Sequence, residues 1–175
     1  MSIRARKHRA RLLLPVAFVL LLLAGCAGPG PGSPSSTRQA GSPAIVLAPG
    51  QRSEVVLTAM GLIQTRYRYG GSHPDRGFDC SGLVAYVFDQ AADQPLPHNT
   101  AQIAELSRPI SKSQLKAGDF VFFNTLNRPF SHMGIYIGNS QFVNAPSTGG
   151  RVRVDSMNNP YFAQRFESAR TLFGS

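Results

Sequence analysis

The sequence predicts an α+β domain in which N-terminal helices pack on an antiparallel sheet. Three observations carry this. Apolar residues recur at helical spacing between residues 53 and 106. From residue 119 onward they alternate with a period of two. Helices come first and strands afterwards, which segregates the helices to one side of the sheet instead of interleaving them as crossovers. At 175 residues the chain has material for one core of ordinary size.

The chain opens with MSIRARKHRARLLLPVAFVLLLLAGC, a basic stretch followed by the apolar run Leu12 to Ala24. That run is short for a spanning helix and stands where an export signal would, with Ala24 and Gly25 ahead of Cys26. Residues 1–25 read as a cleaved signal, an uncleaved anchor being the alternative. LLAGC also resembles the lipobox of bacterial lipoproteins, which implies that Cys26 becomes the mature N-terminus and carries lipid. The three acyl chains so implied exceed the two signals that stable membrane attachment takes. Ala27 follows, where an Asp would imply inner-membrane retention in enteric-type bacteria. The expected location is the bacterial envelope, at the outer membrane and facing the periplasm. Residues 26–49, rich in Gly, Pro and Ser without a sustained period, read as a flexible tether reaching roughly 70 Å when fully extended.

The folded domain is expected over residues 50–175. In SEVVLTAMGLIQTRY, residues Val55, Val56, Ala59, Met60, Leu62 and Ile63 fit one helical stripe, with Ser53 as cap. After the loop GGSHPDRGF comes a second helix, CSGLVAYVFDQAA, with Leu83, Val84, Val87 and Phe88 inward and Asp79 as N-cap. A third, short helix begins at Asn99 or Thr100. DFVFFN, HMGIYIG, QFVNA, RVRVDS and ESARTLF are the strand candidates, expected as a meander.

Formal net charge is +9, from 18 Lys/Arg against 9 Asp/Glu. Removing the signal takes away Arg4, Arg6, Lys7, Arg9 and Arg11 and no acid, leaving thirteen against nine, a net +4. No Lys/Arg run is dense enough for a nucleic-acid partner, whereas an anionic cell-wall polymer suits an exported, mildly basic domain. The sequence contains neither H-E-x-x-H, nor a paired Cys/His ligand set, nor a phosphate-binding glycine loop, so no metal and no cofactor are expected.

With Cys26 lipidated, Cys80 has no intramolecular disulfide partner, and an unpaired thiol in an exported protein points to use. GFDCSG places it in the first turn of a helix, where unpaired N–H groups and the helix dipole lower a thiol pKa and face a developing oxyanion. The alternative is a small buried hydrophobe. Three histidines remain: His73 in a Gly/Pro loop, His98 beside a helix start where substrate contact is open to it, and His132 at the head of a buried strand. A polar ring there has to find partners, which favours His132 as base. Asn144 interrupts the next strand and offers an acceptor to orient the ring. Side chains alternate, so Asn144 shares a face with His132 only if the hairpin has a three-residue loop or a bulge.

YRYGGSHPDRGFDCSGLVAYVF, LKAGDFVFF and SHMGIYIGNSQFVNAPS resemble, in order, the successive motifs of the NlpC-type cell-wall cysteine peptidases. Within that family the chain is most similar to the small lipoprotein murein endopeptidases. The resemblance, from about residue 50 to 172, implies a papain-like fold and hydrolysis of peptidoglycan stem-peptide amides, with D-alanyl–diaminopimelate cross-links favoured over D-glutamyl–diaminopimelate bonds. It matches Cys80 to the nucleophile, His132 to the base and Asn144 to a third polar position more often occupied by His. Tyr67 matches a tyrosine that meets substrate or oxyanion; Asp79 and Ser81 match positions that recognise the polar end of the stem. Each of these three has a plainer reading, as half-buried aromatic, helix cap and small residue. Asn at position 144 also leaves open a catalytically silent wall-binding or scaffold lipoprotein on the same fold. Expected partners are the stem peptides and, through Cys26, a lipid membrane; any regulatory adaptor is unknown.

Overall fold

The computed structural model describes residues 45–147 and 150–174. The predicted signal over residues 1–25, the lipid-bearing Cys26 and the tether up to residue 44 lie outside the described residues. The fold reaches back into the predicted tether, because the Leu47 N–H donates to Leu172 O at 2.7 Å and its side chain is buried.

A 3₁₀ turn, Pro49–Gln51, leads into α1, Arg52–Gly61. Gln51, not Ser53, is the cap, and the helix ends before Leu62. Val55 and Ala59 point into the core while Met60 is exposed, so the inward stripe is narrower than its sequence suggests. The loop GGSHPDRGF holds a two-stranded ribbon, β1 (Ser72–His73) and β2 (Gly77–Phe78). Then come α2, Cys80–Ala92, capped by Asp79 as its sequence predicts, and α3, Thr100–Leu106, capped by Asn99, with Thr100, the second of the two expected starts, as its first residue.

The main sheet has six antiparallel strands in the order β3-β8-β4-β5-β6-β7. These are β3 (Arg108–Ile110), β4 (Phe120–Phe123), β5 (His132–Gly138), β6 (Gln141–Asn144), β7 (Arg153–Ser156) and β8 (Phe166–Thr171). The meander holds from β4 to β7, but β8 returns to pair with β4 and carries β3 outside it. Pro109 hides β3 in the sequence and is tolerated because β3 is an edge strand.

The helices do segregate largely to one face. There Phe120, Phe122, Met133, Ile135 and Val143 pack with Val55, Val84, Val87 and Phe88. The opposite face is covered by a smaller cluster of Val121, Phe123, Phe142, Met157 and Phe162. Phe162 comes from α4, Pro160–Ala163, a single turn capped by Asn159 with Pro at its first position. Burial on both sides explains why the four residues of β4 are all apolar.

One buried ion pair ties α1 to the sheet. Arg52 Nη1 donates to Asp119 Oδ1 at 2.8 Å, and Asp119 is 1 % exposed. The carboxylate also accepts from Thr171 Oγ1 and from the Lys116 N–H, while the guanidinium lies 4.1 Å over the Phe173 ring. Removing one partner of such a pair strands the other charge. Arg52→Met is expected to lower unfolding stability by about 3 kcal/mol, read as a fall in the urea midpoint without a change in slope.

Candidate active site

Three chain segments converge at the N-terminus of α2, and the Asp79 carboxylate joins them. Oδ1 accepts from the Gly82 N–H at 2.7 Å, capping the helix, and from Ser81 Oγ at 3.1 Å. His98 Nε2 stands 2.7 Å from the same atom, and Oδ2 accepts from the Gly70 N–H at 2.9 Å. Gly82 permits this closeness: a Cβ there would lie 2.0 Å from Gly71 O and 2.9 Å from His98 Nε2. His98 therefore serves to hold Asp79, and Asp79 is above all a cap and a clasp.

Cys80 is the first residue of α2 and the free thiol among the described residues. Backbone N–H groups of Met133, Ser81 and Cys80 itself reach its sulfur and pull its pKa down. Burial outweighs them, and the neighbouring Asp79 charge adds to it, so the thiol is pushed up to about 11. The helix start predicted the reverse. A helix terminus lowers a thiol pKa where water still solvates the thiolate; here Cys80 is only partly exposed and its helix cap is an anion.

His132 begins β5 on the face opposite the helices. Its ring runs at 25° to that of Phe162, with centroids 6.2 Å apart. Nε2 lies 3.0 Å from Asn144 Oδ1. The Asn144 amide is fixed by its other side, since Nδ2 donates to Asp155 Oδ2 at 2.9 Å and to Arg153 O at 3.4 Å. Oδ1 is thus the atom that faces the ring, Nε2 carries the proton, and Nδ1 keeps its lone pair. Burial lowers the His132 pKa below its ordinary value, and the hydrogen bond to Asn144 and the Asp155 charge oppose this only in part.

The pairing depends on a bulge. Asn139 and Ser140, both with positive φ, make a two-residue turn that pairs Gly138 with Gln141. That turn alone would send Asn144 to the helix face. The register shifts between Tyr136 and Gly138, so Tyr136 pairs with Phe142 and Ile135 with Val143, and Asn144 returns to the face of His132. Gly134 completes the fit, because a Cβ there would stand 2.6 Å from the Phe142 ring and 3.2 Å from Asn144 Cβ.

A cavity of about 510 Å3 contains Cys80, His132, Tyr67, Asp79 and Ser81 in its walls. All the site residues predicted from the sequence within the described residues therefore border it, except Asn144, which sits behind His132. Burial, then Asp79 and Cys80, raise the Tyr67 pKa, so its hydroxyl is a donor at neutral pH. The Tyr67 backbone is fixed by Gly150 O and by its bridge to Phe78. Arg153 and Asp155 lay beyond sequence reasoning: RVRVDS reads as ordinary strand alternation, and nothing local marks Asp155 as the partner of Asn144. Among the described residues no group of three or more His, Cys, Asp or Glu is arranged to hold a metal ion.

The NlpC/P60 family model matches residues 64–171. The chain is 42% identical over 107 residues to murein DD-endopeptidase MepS/murein LD-carboxypeptidase of Escherichia coli, covering 61% of this chain and 55% of that protein. It is 39% identical over 109 residues to murein DD-endopeptidase MepH of the same organism, covering 61% and 40%. Among solved structures, the NlpC/p60 domain of the peptidoglycan hydrolase SagA aligns with a TM-score of 0.61 at 33% identity, over 69% of this chain and 97% of that one. The α+β, papain-like architecture is common to these domains. The chain spans about half the length of the curated relatives it matches.

A thiol pushed up to about 11, on the wall of a cavity that also holds an imidazole with a lowered pKa, is expected to be protonated in the resting protein. Its alkylation by iodoacetamide is expected to climb about tenfold per pH unit between pH 7 and 10, as the thiolate fraction does below the pKa. A rate flat from about pH 5 to 8 would instead mean a preformed thiolate–imidazolium pair.

Proposed function

Because this chain belongs to the NlpC/P60 family, we propose that it is a lipid-anchored peptidoglycan endopeptidase whose reaction is carried by Cys80, His132 and Asn144. The observation that carries the reading is the hydrogen bond between Asn144 and His132, whose ring lines the cavity that Cys80 also lines. The names of the relatives, two DD-endopeptidases and a peptidoglycan hydrolase, support the substrate class and favour the D-alanyl–diaminopimelate cross-link. The lipobox-like LLAGC supports attachment through Cys26, at the outer membrane and facing the periplasm.

Cys80 Sγ attacks the amide carbonyl carbon as His132 Nδ1 takes its proton. The oxygen of the tetrahedral adduct faces N–H groups at the start of α2, with the Tyr67 hydroxyl as a further donor. Collapse breaks the C–N bond, and the proton held by His132 passes to the leaving amine. Water then gives a proton to the same imidazole and attacks the thioester, releasing the carboxylic acid and restoring the thiol. Asn144 holds the ring in the tautomer this sequence needs. Asp79 and Ser81 spend their side-chain hydrogen bonds on each other and on the helix start, so they contribute through the placement of Cys80 and the shape of the cavity.

Full-length protein in detergent, incubated with purified peptidoglycan and read by mass spectrometry, is expected to convert cross-linked dimers to monomers, and Cys80→Ala to leave them intact. Stems shortened to D-glutamate would assign the other bond, and unchanged material on several peptidoglycan types would end the peptidase reading. Asn144→Ala is expected to lower kcat by about a hundredfold with little change in KM, at the low end of what a positioned acid–base pair contributes. Asn144→His should recover most of that loss.

A further inference from the structure

A second cavity opens on the other side of His132 from Cys80. It encloses about 320 Å3, and Arg153, Asp155, Asn159, Tyr161 and Phe162 contribute to its walls. It shares Thr125, His132, Pro146 and Ser147 with the larger cavity, whereas Cys80 and Tyr67 line only the larger one. The two are lobes of one groove that meet at the imidazole.

Chemistry assigns each lobe half of a substrate. The acyl carbon bonds to Sγ, so the acyl half lies beside Cys80. The leaving nitrogen takes its proton from His132, so the amine half extends past the ring into the second lobe. Arg153 is the Lys/Arg residue that lines that lobe. Its Nε donates to Asp155 Oδ2 at 2.8 Å, and half of its side chain is exposed. Its two Nη groups have no hydrogen-bond partner among the described residues. A guanidinium held by Nε with both Nη groups open is preset for a bidentate carboxylate. Asp155 Oδ2, shared between Arg153 and Asn144, links this cation to the residue that orients His132.

We propose that the second lobe is the leaving-group subsite and that Arg153 binds a free carboxylate on the carbon that bears the leaving amine. This rests on the endopeptidase reading and goes on to say how one bond is selected. In a D-alanyl–diaminopimelate cross-link, the carbon bearing the leaving amine also carries a carboxylate. In a D-glutamyl–diaminopimelate bond within a stem that continues to D-alanine, the corresponding carboxyl is consumed by the next amide. Arg153 therefore selects the cross-link, and selects it with that carboxylate free over amidated.

Binding tests this without turnover. Full-length Cys80→Ala protein in detergent is titrated by calorimetry with two synthetic cross-linked peptides that differ only in a free or amidated diaminopimelate carboxylate beside the scissile bond. The free form is expected to bind about tenfold tighter, as a hydrogen-bonded charge pair supplies. The ratio should fall below about twofold when Arg153→Gln is added, and be intermediate with Arg153→Lys, which keeps the charge and loses the fork. Equal affinities in the Cys80→Ala protein overturn the proposal. So does a preference that survives Arg153→Gln, or no binding of the free form at millimolar concentration. Wild-type protein that cleaves both peptides, with equal affinities in Cys80→Ala, removes the subsite and keeps the endopeptidase. Wild-type protein that cleaves neither removes the endopeptidase reading, while the affinity ratio still decides the role of Arg153.

Discussion

The first turn of α2 is held by one carboxylate, and the thiol of the site stands on that turn. Asp79 accepts from Gly70, Ser81 and Gly82 and contacts His98, so it joins the ribbon loop, the helix and the segment before α3. Gly82 lets these segments approach to a distance at which any side chain would collide with backbone. The same carboxylate lies beside the thiol it positions and disfavours the thiolate. Architecture and ionisation are therefore in opposition at Cys80, and architecture wins in the resting protein.

That outcome bears on how such a site works. A thiol raised by burial and an imidazole lowered by burial share the same preference for being uncharged. Neither group is favoured as an ion in that environment.

Orientation of the imidazole rests on a chain of three contacts, His132 to Asn144 to Asp155 to Arg153. Amide side chains have a donor end and an acceptor end, so Asn144 orients a histidine reliably only when its donor end is occupied. Asp155 occupies it. A histidine at position 144 would not need the same support in the same form, which gives Asp155 and Arg153 a purpose tied to the Asn in this chain.

Much of this was legible in the sequence because it is local. Period-3.6 and period-2 patterns marked α2 and the strands from β4 to β8, and Asp79 announced its helix as a cap. For the β5–β6 hairpin parity left two forms, a three-residue loop or a bulge, since His132 and Asn144 must share a face to meet, and the structure takes the bulge. The narrowing of the α1 stripe, the Pro-containing edge strand and the return of β8 beside β4 were not legible, because neighbours distant in the chain decide them. The thiol pKa is the clearest instance. Sequence placed Cys80 at a helix start and thereby implied a lowered value, but desolvation is a property of everything packed around an atom. Sequence by itself determined which residues are candidates for the chemistry and on which elements they lie. The tertiary structure alone decided their protonation, their second partners and the lobe beyond His132, because solvent exclusion and contacts across the sheet exist only after the chain has closed on itself.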